Sequence, residues 1–170
     1  MSKIRVVHYI NQFFAGVGGE EQAHIAPELR KELPPISTQL QGKLGEDFEV
    51  VATVVCGDSY FNENLKSVQK ELLEMIKGCE PQLFIAGPAF NAGRYGVAAG
   101  TITKAVQDEL HIPAVTAMYE ENPGTDMFRK DVYILETSDS AAGMRKALPK
   151  LAKFATKLAK GEEILSPKEE

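Results

Sequence analysis

The sequence predicts an α/β protein: a three-layer αβα domain built on a five-stranded parallel sheet of the flavodoxin/Rossmann-like kind. Three observations carry this reading. Short apolar, β-rich runs alternate with longer segments of helical period, which is the pattern of βαβ units. Most of those runs are near-continuous rather than alternating, as in strands covered on both faces. The chain has 170 residues, 44% hydrophobic and 25% charged, which suits one globular domain with a single core.

The strands are expected at Ile4–Ile10, Glu49–Val55, Gln82–Ala86, Ala114–Ala117 and Val132–Glu136, in the spatial order 2-1-3-4-5. After the first, Pro27 and the Pro34-Pro35 pair interrupt the pattern. They leave room for a short helix around Pro27–Leu33, followed by a long connection to Phe48. Leu65, Val68, Leu72, Met75 and Ile76 recur at helical spacing, with Asn62 or Asn64 as N-cap and Gly78 just past the end. Val97, Thr101, Ala105 and Val106 line a second helix that stops before Pro113. Ala141, Met144, Leu148, Leu151, Ala155 and Leu158 form a third stripe ending at Gly161, with Pro149 predicting a kink or break near Leu148. Residues 1–160 read as one domain and 161–170 as a linker or frayed tail.

Composition excludes several function classes. Net charge is −5 and no Lys/Arg run is interleaved with aromatics, so nucleic acid is not an expected partner. No run approaches the ~18 apolar residues of a membrane span, and Met1-Ser2-Lys3 leads into a strand without a signal-peptide core. A cytoplasmic location is expected. Cys56 and Cys79 are isolated, which fits a reducing compartment and excludes a four-thiolate zinc site. His8, His24 and His111 have no ligand-spaced partners, so no metal is expected.

In open α/β sheets ligands bind beyond the carboxyl ends of the strands. Five loops therefore matter: 11–21, 56–64, 87–96, 119–126 and 137–140. The first carries Gly16, Gly18 and Gly19 but no G-x-G-x-x-G register and no Gly-Lys-Ser/Thr, so the phosphate fingerprint fails. Glu20 and Glu21 either complement a helix dipole or face a ligand, and facing one they favour a cation. Eight of thirteen aromatics, Phe13, Phe14, Tyr60, Phe61, Phe90, Tyr95, Tyr119 and Phe128, fall in or beside these loops. They serve as lids and docking surface, or, with Glu20, Glu21, Glu120 or Glu121 nearby, as a box for an ammonium or quaternary amine. Arg94 suits a bidentate clamp on a small carboxylate or a structural ion pair. Cys56 is a possible redox thiol, although a small buried residue closing a strand is the better reading, with no His or Lys close in sequence to lower its pKa. Ser138-x-Ser140 before a helix reads as an N-cap, and no G-x-S-x-G elbow exists.

The loops contain the strings His8-Tyr9-Ile10-Asn11-Gln12-Phe13-Phe14-Ala15-Gly16, Cys56-Gly57-Asp58 with Tyr60-Phe61-Asn62-Glu63-Asn64, Gly87-Pro88-Ala89-Phe90-Asn91-Ala92-Gly93-Arg94-Tyr95-Gly96, and Met118-Tyr119-Glu120-Glu121-Asn122-Pro123-Gly124. These resemble the N-terminal domain of the gamma subunit of component B, the selenoprotein B family of glycine, sarcosine and betaine reductases. The resemblance implies an oxidoreductase complex for reductive deamination in anaerobic amino-acid fermentation. In that family a partner subunit with a pyruvoyl group binds the amino substrate, selenocysteine attacks its α-carbon and the amine leaves. The carboxymethyl group then passes to selenoprotein A, and acetyl phosphate follows. This chain holds no selenocysteine and none of the family's selenocysteine-cysteine-cysteine segment. It therefore reads as less than half a subunit, or as a free-standing homologue, with no catalytic residue of its own. No cofactor is expected on it; selenocysteine and pyruvoyl are expected in the missing domain and the partner subunit. Asn11, Glu20, Glu21, Asn62, Asn91, Arg94, Tyr95, Glu120, Glu121 and Asn122 are the expected lining of a cleft for a small amino acid or betaine. The rival reading is a non-catalytic docking module for the pyruvoyl subunit or the selenocysteine domain; a flavin or nucleotide site is disfavoured by the absent fingerprint.

Overall fold

The computed structural model describes residues 3–19 and 22–160. Its sheet has six strands: β1 (Ile4–Asn11), β2 (Glu28–Arg30), β3 (Phe48–Cys56), β4 (Leu83–Ala86), β5 (Ala114–Tyr119) and β6 (Tyr133–Thr137). They lie in the order β2-β3-β1-β4-β5-β6. All pairs are parallel except β2 with β3. Without β2 this is the expected 2-1-3-4-5 arrangement. Helices α1 (Pro35–Leu44), α2 (Asp58–Glu63), α3 (Leu65–Gly78), α4 (Gly93–Ala105), α5 (Pro123–Phe128) and α6 (Met144–Ala159) complete the three layers. A π-helical turn, Val106–Leu110, extends α4.

The central strands form on mostly apolar runs, and β4 (LFIA) is apolar and buried at every position. On β1 alternate residues go to opposite layers, Val7 and Tyr9 toward α3 and α4, Val6 and Ile10 toward α1 and α6. Each fully buried Val, Ile, Leu or Phe contributes roughly 1.5–3 kcal/mol. His8 shares the α1 side, fully buried. Its Nε2 donates to the Gly87 carbonyl at 2.8 Å, because a carbonyl only accepts. Its Nδ1 therefore accepts from Ser37 Oγ at 2.8 Å, and Ser37 accepts from Thr53 Oγ1 at 2.7 Å. Burial lowers the imidazole pKa to about 4, with the Gly87 carbonyl pulling the other way.

Several expectations are corrected. The segment expected as a short helix around Pro27–Leu33 instead holds the antiparallel edge strand β2, making six strands, not five. The presumed long connection after it holds α1: Pro35 occupies the first turn, where a missing N–H costs nothing, so the proline pair starts a helix instead of barring one. The loops 56–64 and 119–126 each contain a short helix, α2 and α5. Finally, α6 runs unbroken through Pro149, since one lost backbone bond is outweighed by the burial of Leu148, Leu151, Ala152 and Ala155. At α3 the N-cap position is Asn64, but its amide donates to the Tyr60 carbonyl, and Gly78 is the last helical residue rather than the one beyond. The expected tail, 161–170, lies outside the described residues. Among the described residues no helix is long and apolar enough to cross a membrane.

Candidate functional site

The connections leaving the carboxyl ends of the strands meet along one rim. Between the β1 and β4 loops, where the winding of the sheet reverses direction, lies a hollow of about 310 Å³. Such a reversal opens a crevice because neighbouring crossovers depart to opposite faces. Asn11, Gln12, Phe13 and Phe14 line it from β1, Asp58 from β3, Phe90 and Asn91 from β4, and Asp139 and Ser140 from β6. Of three larger grooves, those between α1 and α6 and between α3 and the π turn lie on helix faces away from the strand ends, and the third lies between the end of β6 and α6, lined by Glu136, Thr137, Ser138 and Lys146.

The lining is held by both side-chain and backbone hydrogen bonds. Asn11 is buried; its Nδ2 donates to Asp58 Oδ2 at 2.9 Å and its Oδ1 accepts from the Phe14 N–H at 3.1 Å. Gln12 Oε1 accepts from the Asp58 N–H at 3.1 Å. Segment 23–25 closes over this point: the Ala23 carbonyl accepts from Ser59 and Tyr60, and the Ile25 carbonyl from Gly57. A Cβ on Gly57 would stand 2.3 Å from the Ala23 carbonyl oxygen, so only glycine fits. The Gly87–Pro88 bond is cis. Phe14 stands T-shaped to Phe13 with centroids 5.2 Å apart, and tilted to Phe90 at 6.2 Å and Tyr95 at 6.0 Å.

The ten residues expected in the cleft separate into groups. Asn11 and Asn91 line the hollow, Asn91 through a loop whose N–H donates to the Asp139 carbonyl at 3.2 Å. Asn122 does not: fully buried, its Nδ2 donates to the Phe90 and Ala92 carbonyls, and its Oδ1 caps α5 at the Gly124 N–H. A Cβ on Gly96 would collide with that amide. Asn62 is likewise a tie, donating to the Asp58 and Arg94 carbonyls. Arg94 is exposed at the start of α4, outside the lining, and donates through Nη1 to Ser59 Oγ. Tyr95 is buried beside Tyr9 and Phe14. Glu120 and Glu121 are exposed and outside the lining, and their nearness raises the Tyr119 pKa, Glu121 most. Glu20 and Glu21 lie outside the described residues.

Gln12, Asp58 and Asp139 are lining residues that sequence reasoning did not single out, and Ser140, read there as an N-cap, joins them. Asp58 and Asp139 follow strand ends in the loops already marked, and that position was the available signal. Ser140 also occupies the N-cap position of the 3₁₀ turn Ala141–Gly143, without a side-chain cap bond. Of the eight loop aromatics, Phe13, Phe14 and Phe90 line the hollow, while Phe61 and Tyr95 are core. Cys56 is buried, and burial with the nearby Asp58 charge pushes its thiol up to about 12, the opposite of an activated thiolate. Among the described residues no group of three His, Cys, Asp or Glu side chains is placed to hold a metal.

The order of strands and the position of the hollow define a doubly wound α/β domain with a candidate site at its switch point. The chain belongs to the glycine/sarcosine/betaine reductase selenoprotein B family, whose model matches residues 3–170. It is 73% identical over 170 residues to the glycine reductase complex component B subunit gamma of Peptoclostridium litorale, covering 100% of this chain and 39% of that protein. It is 59% identical over 170 residues to the sarcosine reductase complex component B subunit beta of Peptoclostridium acidaminophilum, again 100% and 39%. It is 39% identical over 160 residues to the betaine reductase complex component B subunit beta of the same organism, 94% of this chain and 36% of that one. The chain thus spans about two fifths of the length of these curated relatives. No solved structure matches it.

Proposed function

We propose that this chain forms the substrate-side wall of component B in a reductase complex that takes glycine, sarcosine or betaine toward acetyl phosphate. The observation supporting this most is the convergence of the β1, β3, β4 and β6 loops on one small hollow at the switch point. Selenocysteine and pyruvoyl groups, supplied by the rest of the protein and a pyruvoyl-containing partner subunit, carry the carbon–nitrogen chemistry, with selenoprotein A downstream. The residues here bind and orient: Asn11 and Asn91 offer amide hydrogen bonds, the phenylalanines exclude water, and Arg94, which lies outside the lining and is bonded to Ser59 Oγ, would have to turn from there to meet the substrate carboxylate. The chain alone is not catalytically competent on this reading. A docking role is favoured by one observation, the 59% exposure of Phe13 at the mouth of the hollow.

The test is calorimetric binding of glycine and betaine to the full complex. Asn91→Ala and Arg94→Ala are expected to weaken binding about tenfold, the effect of losing one charge-assisted or well-placed hydrogen bond. Unchanged affinity in both, with assembly weakened by Phe13→Ala, would replace the substrate site with a docking surface.

A further inference from the structure

Resting on that reading of the hollow, we propose that its particular task is to hold the positively charged nitrogen end of the small substrate, primary, N-methylated or quaternary. Phe13 and Phe14 supply the contact and Asp58 and Asp139 the counter-charge. The titratable side chains among the described lining residues are these two acids, and no Lys, Arg or His joins them. A field of that sign draws in a cation and repels a carboxylate. Asn11 fixes Asp58 through the 2.9 Å bond to Oδ2.

The bulky apolar residues of the lining, Phe13, Phe14 and Phe90, are aromatic and stand beside the small Ala89, Ala92 and Ala141, and their aromatic character matters chemically. A phenyl face carries negative quadrupole density, so a cation within about 6 Å of the ring centroid is attracted, methylated or not. An aliphatic wall would offer hydrophobic contact alone. Phe13 and Phe14 both line the hollow, their rings at 87° to one another. The third ring is set by a costly backbone. Phe90 has φ of 50°, a region bulky residues seldom enter. Its carbonyl accepts from the Tyr119 N–H at 2.8 Å and from Asn122 Nδ2 at 2.9 Å. Two donors over-determine that conformation, the situation in which unfavourable backbone persists beside sites. Asn122 is therefore a positioning residue acting through Phe90. The 310 Å³ volume sits at the small end of ligand pockets, roughly 300–1,000 Å³, which suits a compact amine and not a flavin.

Tetramethylammonium and acetate, the two ends of the substrate as separate probes, test this by calorimetry and ligand-observed NMR on the complete protein. Tetramethylammonium is expected to bind and to compete with betaine. Phe14→Leu, which keeps apolar bulk and removes the quadrupole, should weaken it about tenfold. Asp139→Asn and Phe13→Leu, both at exposed positions where folding is not at stake, should each weaken it about threefold. Acetate should not displace it. Wild-type affinity in all three variants, or acetate displacing tetramethylammonium, overturns the proposal. If the probe fails while glycine and betaine still bind in an Asn91-dependent manner, the nitrogen-end assignment falls and the substrate site stands. If neither probe nor substrate responds to any lining variant, the substrate site falls with it.

Discussion

The two faces of β1 bury polar groups in opposite ways. Toward α1, the relay Thr53–Ser37–His8–Gly87 leaves no member without a partner, and each donor has a defined direction. Toward α4, Tyr9 and Tyr95 are fully buried, yet their hydroxyls make no hydrogen bond among the described residues. Burial raises both tyrosine pKa values well above 10, and the Asp58 charge adds to each. At Tyr95 the Asn11 backbone N–H offsets part of that without completing a bond. The first cluster is what a fold needs: it locks β1, β3, α1 and the β4 loop together. The second adjoins Asp58, which lines the hollow. Buried polar atoms that do nothing for stability gather next to candidate sites because the site, not the fold, retains them.

Replacement of His8 is the sharpest way to break this contrast. His8→Leu keeps the volume but leaves the Gly87 carbonyl and the Ser37 hydroxyl buried without that partner. Each stranded group costs about 1–3 kcal/mol, so a loss of about 4 kcal/mol is expected in urea unfolding. A loss below 1 kcal/mol would mean the relay is dispensable. Protonation strains the same relay reversibly. An unfolded imidazole takes up its proton near pH 6.5, the folded one only near 4. Between those values the unfolded state binds more protons, so stability is full above 6.5 and falls as pH drops toward 4, by about 3 kcal/mol in total. Stability measured from pH 7 to 4 should show this slope in the wild type, and His8→Leu should remove that component.

The extent to which the sequence foretold this molecule differs between fold and site for a physical reason. Strand runs such as Leu83–Ala86 are apolar at every position, and the helix stripes repeat at 3.6 residues, so burial itself wrote the pattern. Segment 27–44 was misread because proline marks both an interruption and a helix start, and only the backbone around Pro34 and Pro35 separates the two. The loops that form the rim were legible from length, glycine and aromatics. Which side chains face the hollow was not. Asn122 and Asn62 turn inward to satisfy backbone carbonyls that no local pattern announces, whereas Asp58 and Asp139 turn to the hollow. Polarity places a residue in a loop; tertiary hydrogen bonding decides its direction.

The smallest expected effect is also the one with the opposite sign. Tyr9→Phe deletes a hydroxyl that burial has stripped of water without giving it a partner. The ring, T-shaped to Phe61 at 6.1 Å and tilted to Tyr95 at 6.2 Å, keeps its packing. Removing a desolvated polar atom with no compensating bond should stabilise the protein, by about 1 kcal/mol. Thermal unfolding of Tyr9→Phe beside His8→Leu would therefore shift in opposite directions. A destabilised Tyr9→Phe would show that its hydroxyl is held as firmly as the imidazole of His8, and the two faces of β1 would then obey one rule. A stabilised variant with weakened substrate binding would tie that hydroxyl to the hollow, because a group that costs the fold is kept only by what it does for the site.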